Sequence, residues 1–162
     1  MDPELPPPAL SPQLRMRRPN LYELPPLPDP GPEYRLRPAA PADRAGLARM
    51  LTGAYPDYAW SEADVDERLF DDQTVETTFV VEHLPTGQLV ATASARLMPQ
   101  SHPGAGYVHW VGADPAHRGK GFGRLCTLAT MHRFVALGCT HTILDTDDFR
   151  LPAIRIYVAL GY

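Results

Sequence analysis

Cysteine is scarce: of 162 residues only Cys126 and Cys139 carry a thiol. Two thiols make neither a disulfide framework nor a paired-Cys metal motif. A reducing, cytoplasmic setting is therefore the expectation. Long apolar runs are absent too. No stretch approaches the roughly 18 apolar residues that a spanning helix needs, so no membrane partner is expected. No apolar segment follows a basic start, so no secretory signal is expected. Positive charge is not in excess: 15 Lys and Arg face 19 Asp and Glu, for a net charge of −4. That balance argues against a general nucleic-acid surface, though a local basic site for a small anion remains possible.

What is present is ordinary for one soluble globular domain, with 44% hydrophobic and 21% charged residues. Proline is the exception: 11 of the 19 prolines fall within the first 32 residues. Pro6-Pro7-Pro8 and Pro25-Pro26-Leu27-Pro28 favour extended backbone and forbid a helix interior. Residues 1–32 are accordingly expected to be a disordered, solvated arm, and residues 33–162 the folding unit.

Within that unit the sequence predicts nine elements. Tyr34–Arg37 alternates like a strand. Leu47, Met50, Leu51 and Ala54 recur at helical spacing behind Asp43, and Pro56 ends that helix. Ser61 and Asp64 resemble a capping box for a short second helix carrying Val65 and Leu69. Strands are predicted at 77–82 and 88–97 around a turn at Pro85-Thr86-Gly87, and again at 106–113. A long helix over 121–137 stops at Gly138. A short strand at 141–145 and a helix at 151–160 follow. Early hairpins and a late strand–helix–strand crossover imply a mixed α/β sheet.

The informative segment is Val108–Arg124. A predicted strand runs into Arg118-Gly119-Lys120-Gly121-Phe122-Gly123, and a long helix begins at once. Closely spaced glycines let backbone turn tightly and approach a ligand. A helix start offers free N–H groups and the positive end of a dipole, a cradle for an anion. Charge agrees: Arg118, Lys120, Arg124 and Arg133 lie between Pro115 and Leu144, with no acidic residue among them. A P-loop fails because Gly121, not Ser or Thr, follows Lys120. A dinucleotide fingerprint is weak, because Arg124 stands where a small residue is needed and no βα unit opens the chain.

The segment resembles the acyl-CoA loop of the GNAT acetyltransferase superfamily: Arg118, Gly121 and Gly123 match its Gln/Arg-x-x-Gly-x-Gly/Ala pattern. A second segment agrees, with Ala153, Tyr157 and Gly161-Tyr162 at the family's spacing, although Arg150 stands where the family usually has Asn. The resemblance covers about Tyr34 to Tyr162. It implies a mostly antiparallel central sheet with helices on both faces and a parallel strand–helix–strand unit for CoA. Family members usually continue with one or two more strands. Residues 33–162 are therefore expected to be C-terminally incomplete, leaving the strand at 141–145 as an exposed edge.

The resemblance further implies acetyl-CoA as co-substrate, no metal, and direct transfer of the acetyl group to a primary amine of a small molecule or peptide. Backbone N–H groups of Gly119, Gly121, Gly123 and Arg124 would hold the pyrophosphate, and Arg118 and Lys120 would supply charge. Val111 and Ala113 would offer strand backbone to pantetheine. Tyr157 matches the general acid. His109 has the pKa range of a base; strict alternation would set it and Tyr107 on the same side as Val111 and Ala113. Cys126 reads as a core residue. Tyr55, Tyr58 and Trp60 beside Glu62, Asp64, Asp66, Glu67, Asp71 and Asp72, together with Asp145, Asp147 and Asp148, could form a negative mouth for a cationic amine. The alternative is a non-catalytic acyl-CoA-binding or protein-interaction module built on the same fold.

Overall fold

A computed structural model describes residues 13–162. The part of the proline-rich arm at residues 1–12 lies outside the described residues. The strands are β1 (Gln13–Arg18), β2 (Tyr34–Pro38), β3 (Val75–His83), β4 (Gln88–Leu97), β5 (Ala105–Ala113) and β6 (His141–Asp147). The helices are α1 (Arg44–Ala54), α2 (Glu62–Val65, continued by a wider π turn over Asp66–Phe70), α3 (Phe122–Ala136) and α4 (Leu151–Ala159). None of the described helices is long and apolar enough to cross a membrane.

The six strands form one sheet in the order β1-β6-β5-β4-β3-β2. Every neighbouring pair is antiparallel except β5 and β6, which run parallel. This is the mixed, mostly antiparallel α/β sheet that the sequence implied, with one parallel strand–helix–strand unit through α3. Strand β4 lies centrally and is buried from Leu89 to Ala95, which explains its small, largely apolar sequence. Its two buried polar side chains find partners: Ser94 Oγ lies 2.9 Å from Thr78 Oγ1, and Thr92 Oγ1 donates to the Phe79 carbonyl at 2.9 Å.

The core has two sides. On one, Leu47, Met50 and Leu51 of α1 pack with Trp60, Val65, Leu69, Val80 and Leu89. On the other, Leu128, Met131 and Phe134 of α3 pack with Val108, Leu144, and Tyr157 and Leu160 from the α4 end. Helix α2 opens on the expected capping box, with the Asp64 N–H bonded to Ser61 Oγ and the Ser61 N–H to the Asp64 carboxylate. Asp43 precedes α1, but its carboxylate accepts from the Ala40 N–H and the Arg37 guanidinium instead of capping that helix.

Two expectations change. First, residues 13–32 are not a free arm. Gln13–Arg18 pairs with β6 over its whole length, Gln13 opposite Asp147 and Arg18 opposite Thr142. Beyond it, Leu21 is buried against the α3–α4 core. Arg18 Nε donates to the Leu160 carbonyl at 2.9 Å, and His132 Nε2 lies 2.7 Å from the Pro25 carbonyl. Proline blocked helix in this stretch, yet Leu14 and Met16 alternating with Arg15 and Arg17 still suit an edge strand. Second, β6 is not an exposed edge, because β1 covers it.

Candidate active site

Strands β5 and β6 are paired for only three positions, Ala105–His141, Gly106–Thr142 and Tyr107–Ile143. Past Tyr107 they separate, and a cleft of about 320 Å³ opens between them. It is lined by Tyr107–Val111 of β5, Leu144–Asp147 of β6, Tyr55 at the end of α1, Arg150 and Tyr157 of the α4 region, and Gln13 of β1. The splay leaves part of the β5 backbone without a strand partner on that side.

A bulge sets what β5 presents. Between the pairs Thr92–Gly112 and Ser94–His109, β4 advances two residues and β5 three. Trp110 absorbs the extra residue with φ +48°. The bulge flips the alternation. Val111 and Ala113 pack toward Phe122, Leu125 and Cys126 of α3, whereas a Cβ on Gly112 would meet Ala54 of α1 at 2.9 Å. Tyr107 and His109, on the Gly112 side, therefore do not share a face with Val111 and Ala113, contrary to strict alternation. Tyr107, His109 and Val111 still line the same cleft, because it passes between the strands, whereas Ala113 lies beyond its lining.

Tyr157 is buried but lines the cleft. Burial pushes its hydroxyl well above the ordinary phenol range, with Tyr55 adding to the shift and Arg150 opposing it. The Tyr55 hydroxyl donates to the Val111 carbonyl at 2.6 Å. That carbonyl is one of the two backbone positions the resemblance assigned to pantetheine, and its contact with Tyr55 was not legible in the sequence. The Arg150 guanidinium stands 4.4 Å over the Tyr55 ring. His109 is lowered to about 4, first by burial and then by Arg96, so it is neutral across the physiological range.

The loop that follows β5 is built for exposure. Asp114 caps a short turn over Pro115–His117, its carboxylate accepting from the Ala116 N–H at 2.9 Å. Gly119 and Gly121 take φ +79° and +77° with nothing within 4 Å of a would-be Cβ, so backbone conformation and not crowding demands glycine there. Gly121 is the N-cap of α3 and provides no side-chain cap; the first-turn N–H groups thus stay free for a ligand. Arg118 and Lys120 are exposed and Arg124 is partly exposed. Among the described residues none of the three pairs with a carboxylate, since nearby Asp114 is engaged by Arg49 and His117. These features suit a pyrophosphate, and the splayed β5 suits an extended amide arm.

The acidic mouth is less open than the sequence suggested. Asp64 accepts from Ser61 and from the Tyr58 hydroxyl and is lowered to about 2. Asp66 pairs with Arg44 at 2.5 Å, and Asp72 with Arg96 at 3.5 Å. Asp145 takes a bidentate Arg15, both contacts at 2.8 Å, and the Tyr107 hydroxyl at 2.7 Å. The aromatic cluster already holds a cation, because Arg68 lies over Tyr58 at 4.9 Å, Trp60 at 5.6 Å and Trp110 at 6.0 Å. Cys126 is fully buried and burial pushes its thiol up, as fits a core residue. No three His, Cys, Asp or Glu side chains gather as metal ligands among the described residues.

The sequence pattern described as the acetyltransferase (GNAT) family matches residues 45–162, well over half of the chain. The chain belongs to the GNAT family. A mycothiol acetyltransferase of Nocardia farcinica is 31% identical over 139 residues, covering 76% of this chain and 43% of that protein. One of Mycolicibacterium smegmatis is 34% identical over 163 residues, covering 92% and 52%. The chain thus spans about half the length of the curated relatives it matches. Among solved structures, the GCN5-related N-acetyltransferase of Sphaerobacter thermophilus superposes with a TM-score of 0.73 at 18% identity, over 92% of this chain and 47% of that one. The glucosamine-6-phosphate N-acetyltransferase of Arabidopsis thaliana gives 0.64 at 20% identity, over 80% and 90%. At such identities these neighbours establish the GNAT fold and no more.

Proposed function

We propose that this chain transfers an acetyl group from acetyl-CoA to a primary amine of a small molecule. The carrying observation is a pair of features on one stretch of chain. Strand β5 splays from β6 beside the cleft that Tyr157 lines, and the loop after β5 leads into a helix start with no side-chain cap and three cations that pair with no carboxylate among the described residues. The small-molecule choice, over a peptide amine, rests on the relatives named for mycothiol.

In this reading the N–H groups of Gly119, Gly121, Gly123 and Arg124 hold the pyrophosphate, and Arg118 and Lys120 add charge. Val111 and Ala113 present backbone to pantetheine; Tyr55 shares the Val111 carbonyl, which has a second lone pair to offer. When bound, acetyl-CoA supplies an activated acyl group, and a backbone N–H of β5 would polarise its carbonyl. His109 lies on the α1 side of the bulge. Neutral above pH about 4, it can accept a hydrogen bond from the amine. Tyr157 donates toward the departing sulfur. Tyr157→Phe is expected to lower kcat about 100-fold with the acetyl-CoA KM nearly unchanged.

The deciding experiment is thermal unfolding with and without acetyl-CoA. At about 100 times Kd the ligand adds ~2.7 kcal/mol, a shift of several degrees. Arg118→Glu should shrink the rise, and a panel of small amines followed by thiol release should then identify acceptors. A folded protein with no thermal shift would count against the reading. A shift with no turnover on any amine would favour the acyl-CoA-binding module instead.

A further inference from the structure

Arg150 is the one cationic side chain among the described residues that line the cleft. Three arginines nearby are matched to carboxylates: Arg15 to Asp145, Arg96 to Asp72, and Arg68 to Asp64. The Arg150 guanidinium is half-buried and stacks on Tyr55, and no carboxylate among the described residues hydrogen-bonds it. Asp147 contributes only longer-range attraction. A cation withdrawn from water without a paired anion is costly to keep, and its neighbours indicate which anion suits it.

Tyr157 shares the cleft with Arg150. Its hydroxyl holds its proton far more tightly than a thiol with an ordinary pKa near 8.5. Full proton transfer from Tyr157 to a thiolate therefore runs uphill. The remaining polar groups that line the cleft, including Gln13, Trp110 and the Thr146 hydroxyl, which has no partner among the described residues, carry no positive charge to set against a sulfur anion. The Tyr55 hydroxyl is committed to the Val111 carbonyl and the Tyr107 hydroxyl to Asp145. His109 is uncharged, and Asp145 and Asp147 are negative.

We propose that Arg150, facing the cleft between Tyr55 and Tyr157, is a catalytic residue that holds the departing sulfur as its anion. The inference rests on the acetyl-CoA reading above. The amine nitrogen bonds to the acyl carbon, the carbon–sulfur bond breaks, and its electron pair stays on sulfur opposite Arg150. The surplus proton of the amine leaves to solvent, with His109 able to accept a hydrogen bond from the nitrogen but not to keep the proton. Tyr157 donates a hydrogen bond to sulfur, and the thiolate takes its proton from solvent on release. The Asn usual at this place in the family is uncharged, so this chain would bind the leaving group by charge.

The test is a pH titration of the CoA thiol when bound, read from thiolate ultraviolet absorbance. The complex with desulfo-CoA serves as reference for the protein's own tyrosines. At pH 7 the wild-type protein should hold a thiolate fraction at least about tenfold above that of free CoA, one pKa unit. Arg150→Gln should lose that excess, and Arg150→Lys should keep much of it. If CoA binds wild type with an unshifted thiol, or if the shift survives in Arg150→Gln, the inference is overturned. Should the Gln variant fail to fold, the wild-type titration and the Lys variant still decide. Failure of CoA to bind wild type at all overturns the acetyl-CoA reading, and this step with it.

Discussion

Two charged regions stand out in this sequence, the acidic stretch around α2 and the basic loop before α3, and the folded chain treats them oppositely. Around α2, Asp64, Asp66 and Asp72 are engaged by Ser61 and Tyr58, Arg44 and Arg96, and the aromatic cluster beside them is filled by Arg68. In the loop, Arg118, Lys120 and Arg124 have no carboxylate partner among the described residues, and the helix behind them starts without a side-chain cap. A run of like charge is thus weak evidence for a site. Glu62, Glu67 and Asp71 also stay exposed and without an ion pair among the described residues, so what distinguishes the loop is that its charges flank a helix start with no side-chain cap.

The largest expected effect that sharpens this contrast is at Gly121. Its φ of +77° with open space around it means that Gly121→Val clashes with nothing but strains the turn. Acetyl-CoA affinity should fall about 100-fold while far-ultraviolet circular dichroism stays native. Arg118→Glu with Arg124→Glu should weaken acetyl-CoA binding about 30-fold at low salt and flatten its salt dependence, checked by calorimetric titration at two ionic strengths. If the double variant binds normally, the loop charges are as spent as those of α2.

A pH effect on stability comes next. His109 drops from an ordinary 6.5 to about 4 in the folded chain, so the unfolded state binds more protons between those values. Stability should therefore fall as pH is lowered through that window, by on the order of 2 kcal/mol. Asp145, lowered first by its hydrogen bond to Arg15, acts in the same direction at still lower pH. His109→Gln should remove the upper part of the slope in denaturant titrations at pH 6.5 and 4.5. The smallest effect should come from Asp64→Asn with Asp66→Asn, which should leave acetyl-CoA affinity and acceptor KM within about twofold. A larger loss of acceptor affinity would mean that the α2 acids serve the site after all.

Much of the fold was legible because its signals are local. The capping box at Ser61 and Asp64, the stop at Gly138 and the glycine loop depend on residues a few positions apart, and each stands where the sequence indicated. Strand β1 was missed because its partner β6 lies more than a hundred residues away, and the surrounding prolines read as an arm. The alternation of Leu14 and Met16 with Arg15 and Arg17 was the available signal. His109 was named from its chemistry, but its side of the sheet depends on a bulge at Trp110 that only pairing with β4 reveals.

The sequence by itself determined the element order from Tyr34 onward, the loop with its glycines and cations, and the GNAT resemblance, since covalent spacing fixes all three. Tertiary structure alone decided which charges are spent. It closed the β6 edge with β1, bound Asp145 to Arg15, filled the aromatic cluster with Arg68, and set Arg150 in the same cleft as Tyr157 with no carboxylate pair among the described residues. Those outcomes follow from contacts between segments distant in the chain, and burial and pairing, more than residue type, set whether a charged group remains available for chemistry.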